Sequence, residues 1–253
     1  FRFDADNIIS VYVDHREIAD ARWYTGSGIT RKVSLRIEEN VHPVANGIFF
    51  TTPHVNNELA DCEVTTELIN CMDEPCDAIV TNLLFAPDDT LIYEQNSHIT
   101  LAAHDTGVTR TKGTISQPAC WTPESPSLYT LKTYLSYQAS TETINALVDT
   151  QKAGIRSLRF DADKGFFLND VPYLFKGVCL HEDAGCFGNA VPAAVWHRRL
   201  AKLKSMGCNA IRMSHNPHMT ELYALCDALG FFVIDEAFDE WEGPKNKWST
   251  GHN

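Results

Sequence analysis

Three short stretches end in side chains able to do chemistry. "GVCLHED" closes on His181, Glu182 and Asp183; "CNAIRMSHNP" carries Arg212, Ser214 and His215; "FFVIDE" closes on Asp235 and Glu236, with Asp239 and Glu240 soon after. An imidazole can donate a hydrogen bond to a hydroxyl and titrates near neutral pH. A guanidinium presents a planar fork that orients carboxylates. Asp235 and Glu236 are adjacent, and neighbouring strand residues point to opposite faces, so they are a poor catalytic pair. Asp235 is expected to point inward and pair with Arg212, with Glu236 in a supporting, orienting role. The same polar set could equally be a rim of structural ion pairs, since both arrangements use these residue types.

The apolar pattern around these stretches says why the groups would meet. After about residue 173 the period is helical between short apolar runs. "YLFKGVCLH" reads as a strand. "VPAAVWHRRLAKLKSMG" places Trp196, Leu200, Leu203 and Met206 at helical steps, with Pro192 suited to the first turn and Gly207 to the C-terminal cap. "CNAIRM", opened by Asn209, is a second strand. "TELYALCDALG" is a second helix, with Thr220 as N-cap, Leu222, Leu225, Cys226 and Leu229 as its stripe and Gly230 as its stop. "FFVIDE" is nearly all apolar, as expected of a strand covered on both faces. A β-α-β-α-β order implies parallel strands with right-handed crossovers. Binding groups in such folds gather at the carboxyl ends of the strands, and the three polar stretches occupy those ends.

The first 175 residues have a different texture. Short runs alternate with period two: "IISVYVDH", "KVSLRIEE", "CEVTTELI", "AIVTNLLF", "TLIYEQ", "HITLAA", "SLYTLKTYLSY" and "SLRFD". Gly, Pro, Asn and Asp punctuate them, which favours a β-sandwich. "FFLNDVPYLF" reads as a hairpin turning at Asn169 and Asp170, two residues that tolerate positive φ.

The totals narrow the function classes. The chain has 253 residues, enough for about two domains, with 44% hydrophobic and 21% charged residues. A formal charge of −12 argues against nucleic acid or an anionic membrane as partner. No apolar run reaches the roughly 18 residues of a membrane helix, so an integral membrane protein is not expected; the compartment, cytoplasmic or periplasmic, stays open. The sequence starts "FRFDADN" without Met, which leaves a start further upstream open. The eight cysteines form no C-x-x-C pair and no zinc spacing, so reduced, buried thiols are expected. The alternative is a Cys71–Cys76 bridge around the turn-like "MDEP".

"NAIRMSHNPHMTELYALCDALGFFVIDE" resembles the signature of glycoside hydrolase family 2, which contains β-galactosidases, β-glucuronidases and β-mannosidases. The matching positions are Asn209, Arg212, His215, Pro217, Asp227 and Gly230; Asn216 stands where the family usually has Tyr, and Met213 where it has a small residue. "RWYTGSGITRKVSL" is similar to the final strands of the family's jelly-roll domain. "CWTPESPSLYTL" and "AGIRSLRFD" resemble its immunoglobulin-like domain, and "FLNDVPYLFKGVCLHED" its entry into a (β/α)8 TIM barrel. The implied chain is multidomain: the end of a β jelly roll at 1–39, an immunoglobulin-like β-sandwich at 40–160 and the first part of the barrel at 161–253.

The resemblance also implies roles. His181 and His215 would contact the sugar, Arg212 would orient carboxylates, and Asp183 would lie with them. Trp241 and Trp248 could stack on apolar sugar faces, and Arg22, Trp23 and Tyr24 fall in a jelly-roll loop that reaches toward the barrel mouth in relatives. Glu240 aligns with a magnesium-binding glutamate of some galactosidases, but the partner histidine two residues on is Glu242 here. No cofactor is therefore required, with Mg2+ open in the full-length enzyme. The family is retaining and uses two carboxyl groups about 5–5.5 Å apart. Both are glutamates, the first in an Asn-Glu pair after a Trp, and no such pair follows residue 173. A full barrel takes about 250 residues, so this chain reads as an internal fragment, inactive alone, of an enzyme cleaving terminal β-linked sugars. A β-galactosidase is the nearest match in "GVCLHED" and "DEAFDEW"; a β-glucuronidase, another family 2 glycosidase or a non-catalytic carbohydrate-binding relative are the alternatives. A carbohydrate is the expected partner, and a homo-oligomer is compatible with the chain.

Overall fold

Strict alternation in the first half produces long antiparallel strands. They are β1 (Val41–Thr51), β2 (Leu59–Asn70), β3 (Cys76–Phe85), β4 (Leu91–Leu101), β5 (Thr106–Ser116), β6 (Tyr129–Gln138) and β7 (Thr143–Ala153). The computed structural model describes all residues except 1, 3, 15–27, 140, 141, 238–242 and 244–253. Two compact units result, one of residues 35–176 with 226–232, the other of residues 1–34 with 177–225 and 233–253.

In the first unit the strands form two sheets, β1-β2-β5 and β4-β3-β6-β7. This is an immunoglobulin-like sandwich in which β4 joins β3, whereas the constant-type arrangement puts the fourth strand in the other sheet. "TLIYEQ" and "HITLAA" are one continuous strand, β4, rather than two. The interior has three layers. Ala60, Cys62, Val64, Leu84, Tyr129 and Leu131 belong to one apolar cluster. Val41, Leu68, Ala78, Val80, Leu135 and Tyr137 belong to another. Thr66, Asn82, Thr109, Thr111 and Thr133 are buried at the intervening strand positions. There the Asn82 amide donates to Thr111 Oγ1 at 3.2 Å, and Thr133 Oγ1 donates to Asn82 Oδ1 at 2.8 Å.

A small antiparallel sheet follows: β8 (Leu158–Asp161), β9 (Gly165–Leu168) and β10 (Val171–Pro172). Asn169 and Asp170 turn the β9–β10 hairpin with φ of 49° and 64°, the expected two-residue turn. Phe166, Phe175 and Trp121 surround Phe232 at centroid distances of 5.5, 5.1 and 5.3 Å. The Arg156 guanidinium lies 4.8 Å from the Trp121 ring.

From residue 177 the chain follows a β-α-β-α-β order: β11 (Gly177–His181), a 3-10 turn at Gly185–Phe187, α1 (Ala193–Ser205), β12 (Ala210–Ser214), α2 (Thr220–Leu229) and β13 (Phe232–Asp235), all in the second unit except residues 226–232. The sheet order is β11-β12-β13, and β11 and β12 run parallel. Pro192 is the N-cap of α1 and Gly207 follows its end at φ +88°. Trp196 and Leu200 of α1 and Leu222 of α2 are fully buried, as are Ile211 and Met213 on β12.

Several expectations are corrected. Met206 is 75% exposed, because α1 ends one residue before it and the stripe does not continue. Thr220 opens α2 as its first residue. "IISVYVDH" and "KVSLRIEE" meet no partner strand among the described residues, and Ile8, Val33 and Ile37 are exposed. All eight cysteines are free thiols, but Cys71, Cys179 and Cys186 are exposed rather than buried, and Cys71 and Cys76 are not bridged. No helix among the described residues is long and apolar enough to cross a membrane.

Two substitutions test this architecture. Gly230 ends α2 at φ +75°, and a Cβ there would lie 2.2 Å from the Pro123 carbonyl oxygen. Gly230→Ala is expected to lower stability by more than about 1 kcal/mol, read from the midpoint of urea unfolding. Thr133→Val removes a donor from the buried Asn82 carbonyl, and a loss of about 1–3 kcal/mol is expected by the same measurement. A Thr133→Val chain as stable as wild type would refute the buried layer.

Candidate active site

The β11–β12 register sets the site. Cys179 pairs with Arg212 and His181 with Ser214 across the parallel ladder. Side chains alternate along each strand, so Cys179, His181 and Arg212 share one face while Ile211 and Met213 turn to the other. Polar groups on the first face therefore reach the carboxyl ends of the strands together.

Glu236, immediately after β13, is the hub. Its Oε1 accepts from Arg212 Nε at 2.6 Å and from Nη2 at 2.5 Å. Its Oε2 accepts from His215 Nδ1 at 2.8 Å. The expected Arg212–Asp235 pair is thus replaced by Arg212–Glu236. Asp235 instead accepts a 2.8 Å hydrogen bond from the Tyr223 hydroxyl of α2. Asp235 is the exposed last residue of β13, and the acid that reaches Arg212 is Glu236 just beyond the strand.

Arg212 Nη2 is also 3.4 Å from His215 Nδ1. That nitrogen cannot donate to Glu236 and accept from Arg212 at once. The shorter, charge-assisted contact assigns the Nδ1 proton to the Glu236 bond. In neutral His215 the lone pair then sits on Nε2. Arg212 Nη1 reaches Cys179 Sγ at 3.5 Å. The His181 and His215 rings meet edge to face with centroids 5.3 Å apart.

The electrostatics follow from this packing. Burial alone would push the Glu236 carboxyl up, but the hydrogen bonds from His215 and Arg212 outweigh it and hold it below the usual carboxylate range. His181 is held below the ordinary histidine value, first by burial and then by the neighbouring His215, with Asp183 opposing. Tyr223 is pushed up to about 12, by burial first and by its bond to Asp235 second.

The loop after β12 is held from several sides. The Ser214–His215 peptide is cis. His218 is buried, with Nε2 3.2 Å from the Ser214 carbonyl oxygen, and its backbone N–H donates to the Tyr223 hydroxyl at 2.9 Å. Glu182 Oε1 accepts from the Met219 backbone N–H at 2.7 Å. Arg31 Nη2 donates to Glu182 Oε2 and to the Pro217 carbonyl, both at 2.6 Å. Cys179, Arg31, His218 and Tyr223 were not anticipated as part of the site. Tyr223 and His218 sit inside the quoted signature, yet only their contacts mark them out.

The remaining candidates separate. Asp183 accepts from Arg199 through its backbone oxygen at 2.5 Å, and Asn209 is buried just before β12. Trp241, Glu240, Asp239, Trp248 and residues 22–24 lie outside the described residues, and the magnesium expectation on Glu240 goes with them. Among the described residues no group of three or more His, Cys, Asp or Glu is placed to hold a metal ion.

The lowered His181 value has a testable consequence. Its folded value lies below its unfolded one, so falling pH protonates the unfolded chain first and erodes stability below about pH 6.5. Proton NMR titration should place the His181 ring below the ordinary value. His215→Asn should move it upward by removing the neighbouring imidazole that disfavours a charge on His181. A His181 that titrates at or above the ordinary value would contradict the burial described here.

Comparison with known proteins bears on the family of the chain. The family model "Glycosyl hydrolases family 2" matches residues 46–156, and "Glycosyl hydrolases family 2, TIM barrel domain" matches residues 161–251. The chain is 38% identical over 244 residues to a β-galactosidase, BoGH2A, of Bacteroides ovatus, covering 96% of this chain and 28% of that protein. A solved family 2 member from Bacteroides cellulosilyticus superposes with a TM-score of 0.82 at 31% identity, over 90% of this chain and 29% of that one. A Bacteroides uniformis β-glucuronidase, bound covalently to cyclophellitol-6-carboxylate aziridine, gives a TM-score of 0.72 at 31% identity, over 82% of this chain and 25% of its own. The chain spans less than a third of the length of each of these relatives. Two family models in chain order, covering most of the sequence between them, place this chain in glycoside hydrolase family 2.

Proposed function

We propose that the protein containing this chain is a retaining glycosidase that cleaves a terminal β-linked sugar, with a β-galactoside as its substrate. The observation that carries this reading is the joining of Arg212, His215 and Glu236, beside His181, at the carboxyl ends of neighbouring strands. The 38% identity to a β-galactosidase favours galactose. The likeness to a β-glucuronidase structure supports a β-glucuronide as the second reading. We assign the jelly-roll, sandwich and barrel segments to 1–39, 40–160 and 161–253.

The site's chemistry suits a transition state with positive charge on the sugar ring. His181, held neutral by burial, can donate a hydrogen bond to a sugar hydroxyl without adding positive charge. Arg212 brings a cation, but Glu236 offsets it at contact distance. Both Glu236 oxygens are engaged by Arg212 and His215. A carboxylate so held is suited to orienting its neighbours and badly placed to attack an anomeric carbon. The general acid and the nucleophile are therefore assigned to other parts of the full-length protein.

The test is a panel of aryl glycosides with the full-length protein. Turnover of the β-galactoside above the β-glucuronide, β-mannoside and α-galactoside is expected, and β-glucuronide preference would favour the second reading. Arg212→Ala should reduce kcat/KM by roughly 10- to 100-fold or more, the size of a lost charged hydrogen bond. The isolated 253-residue chain should release no chromophore; clear turnover by it would place the catalytic carboxylates within this chain.

A further inference from the structure

We propose that Arg31 and Glu182 form a brace that sets the spacing of His181 and His215, which makes them positioning residues for the reaction; this rests on the reading of the site above. Glu182 directly follows His181 at the end of β11. Its side chain is only 10% exposed, and its two oxygens take different partners. Oε1 receives the Met219 backbone N–H, and Oε2 receives Arg31. Met219 sits just before α2, four residues beyond His215, where a helix presents unpaired N–H groups that favour a carboxylate. One carboxylate thus ties the end of β11 to the loop that leaves β12.

Arg31 closes the triangle. The same nitrogen, Nη2, that reaches Glu182 also reaches the Pro217 carbonyl, two residues after His215. The residues joined lie 151 and 186 positions apart in the chain, so nothing local fixes their distance. Lys32, next in the chain, pairs with Glu221 on the first turn of α2. Tyr223 holds the His218 backbone N–H from α2 itself. The two histidine rings, 5.3 Å apart, are each within two residues of a braced atom. This differs from an ordinary surface ion pair, which contributes little, because the carboxylate is mostly buried and each partner is a backbone or charged donor. Removing Arg31 takes the cation of this pair from the mostly buried Glu182, leaves it the Met219 N–H alone of these two donors, and removes the donor to the Pro217 carbonyl.

The experiment uses the full-length protein with Arg31→Met, Arg31→Lys and Glu182→Gln. Two readouts are taken: steady-state kinetics on an aryl β-galactoside, and hydrogen–deuterium exchange of the peptide covering residues 214–223. Because a single nitrogen serves both acceptors, a lysine ammonium can replace it. Arg31→Met and Glu182→Gln are expected to lower kcat about tenfold with KM changed by less than about threefold, since displaced groups are felt most at the reacting geometry. Exchange in the loop should speed up in both. Arg31→Lys should stay within about threefold of wild type in kcat and in exchange. Wild-type kcat and exchange in Arg31→Met, or an Arg31→Lys variant as impaired as Arg31→Met, would overturn the brace. If the wild-type protein turns over no glycoside, the functional reading fails. The exchange measurement then judges the brace alone: faster loop exchange in Arg31→Met upholds it, and unchanged exchange overturns it.

Discussion

The parallel register between β11 and β12 is the constraint on which the site depends. With Cys179 opposite Arg212 and His181 opposite Ser214, the polar ends of both strands finish level. A slip of one residue would exchange the faces of β12, carrying Arg212 among the apolar residues and Ile211 and Met213 onto the site face. The fully buried Ile211 and Met213 therefore guard the placement of Arg212. Hydrophobic burial on one side of the strand selects the geometry of the charged groups on the other.

Much of this was legible in the sequence, because it lies in patterns short enough to read. A strand ending in Arg, Ser and His, a helix from Pro192 to Gly207 and a turn at Asn169-Asp170 each have a local physical cause. The strand-end cluster could be read because parallel β-α-β units place their carboxyl ends together. The choice between Asp235 and Glu236 could not. Alternation says that two adjacent acids face opposite ways, but only the register of β13 against β12 says which one faces Arg212. Arg31 was equally illegible, since its partners come from distant parts of the chain.

The sandwich shows a different limit. β5 escapes a search for apolar alternation because most of its inward positions are polar or small. In β5 the inward residues include Thr109, Thr111 and Gly113. Threonines read as surface, yet here they line a buried layer with Asn82. Gly113 reads as a break, yet a Cβ there would lie 2.2 Å from the Tyr93 ring, so its lack of a side chain makes room for the tyrosine. In both cases the residue is explained by what lies across the interior, which no local window contains.

Glu236 stays ionised although burial opposes it, because two donors converge on it, and those donors are held by it in turn. Such mutual dependence makes the cluster behave as a unit. Replacing any one member removes a partner that the others share, so substitutions combined within the cluster should be non-additive. The neutral state of His181 belongs to the same unit, since His215 and Arg212 both disfavour a second cation beside them. The site thus keeps its net charge low by internal pairing, with a carboxylate oriented by two donors beside a histidine whose protonation its neighbours disfavour.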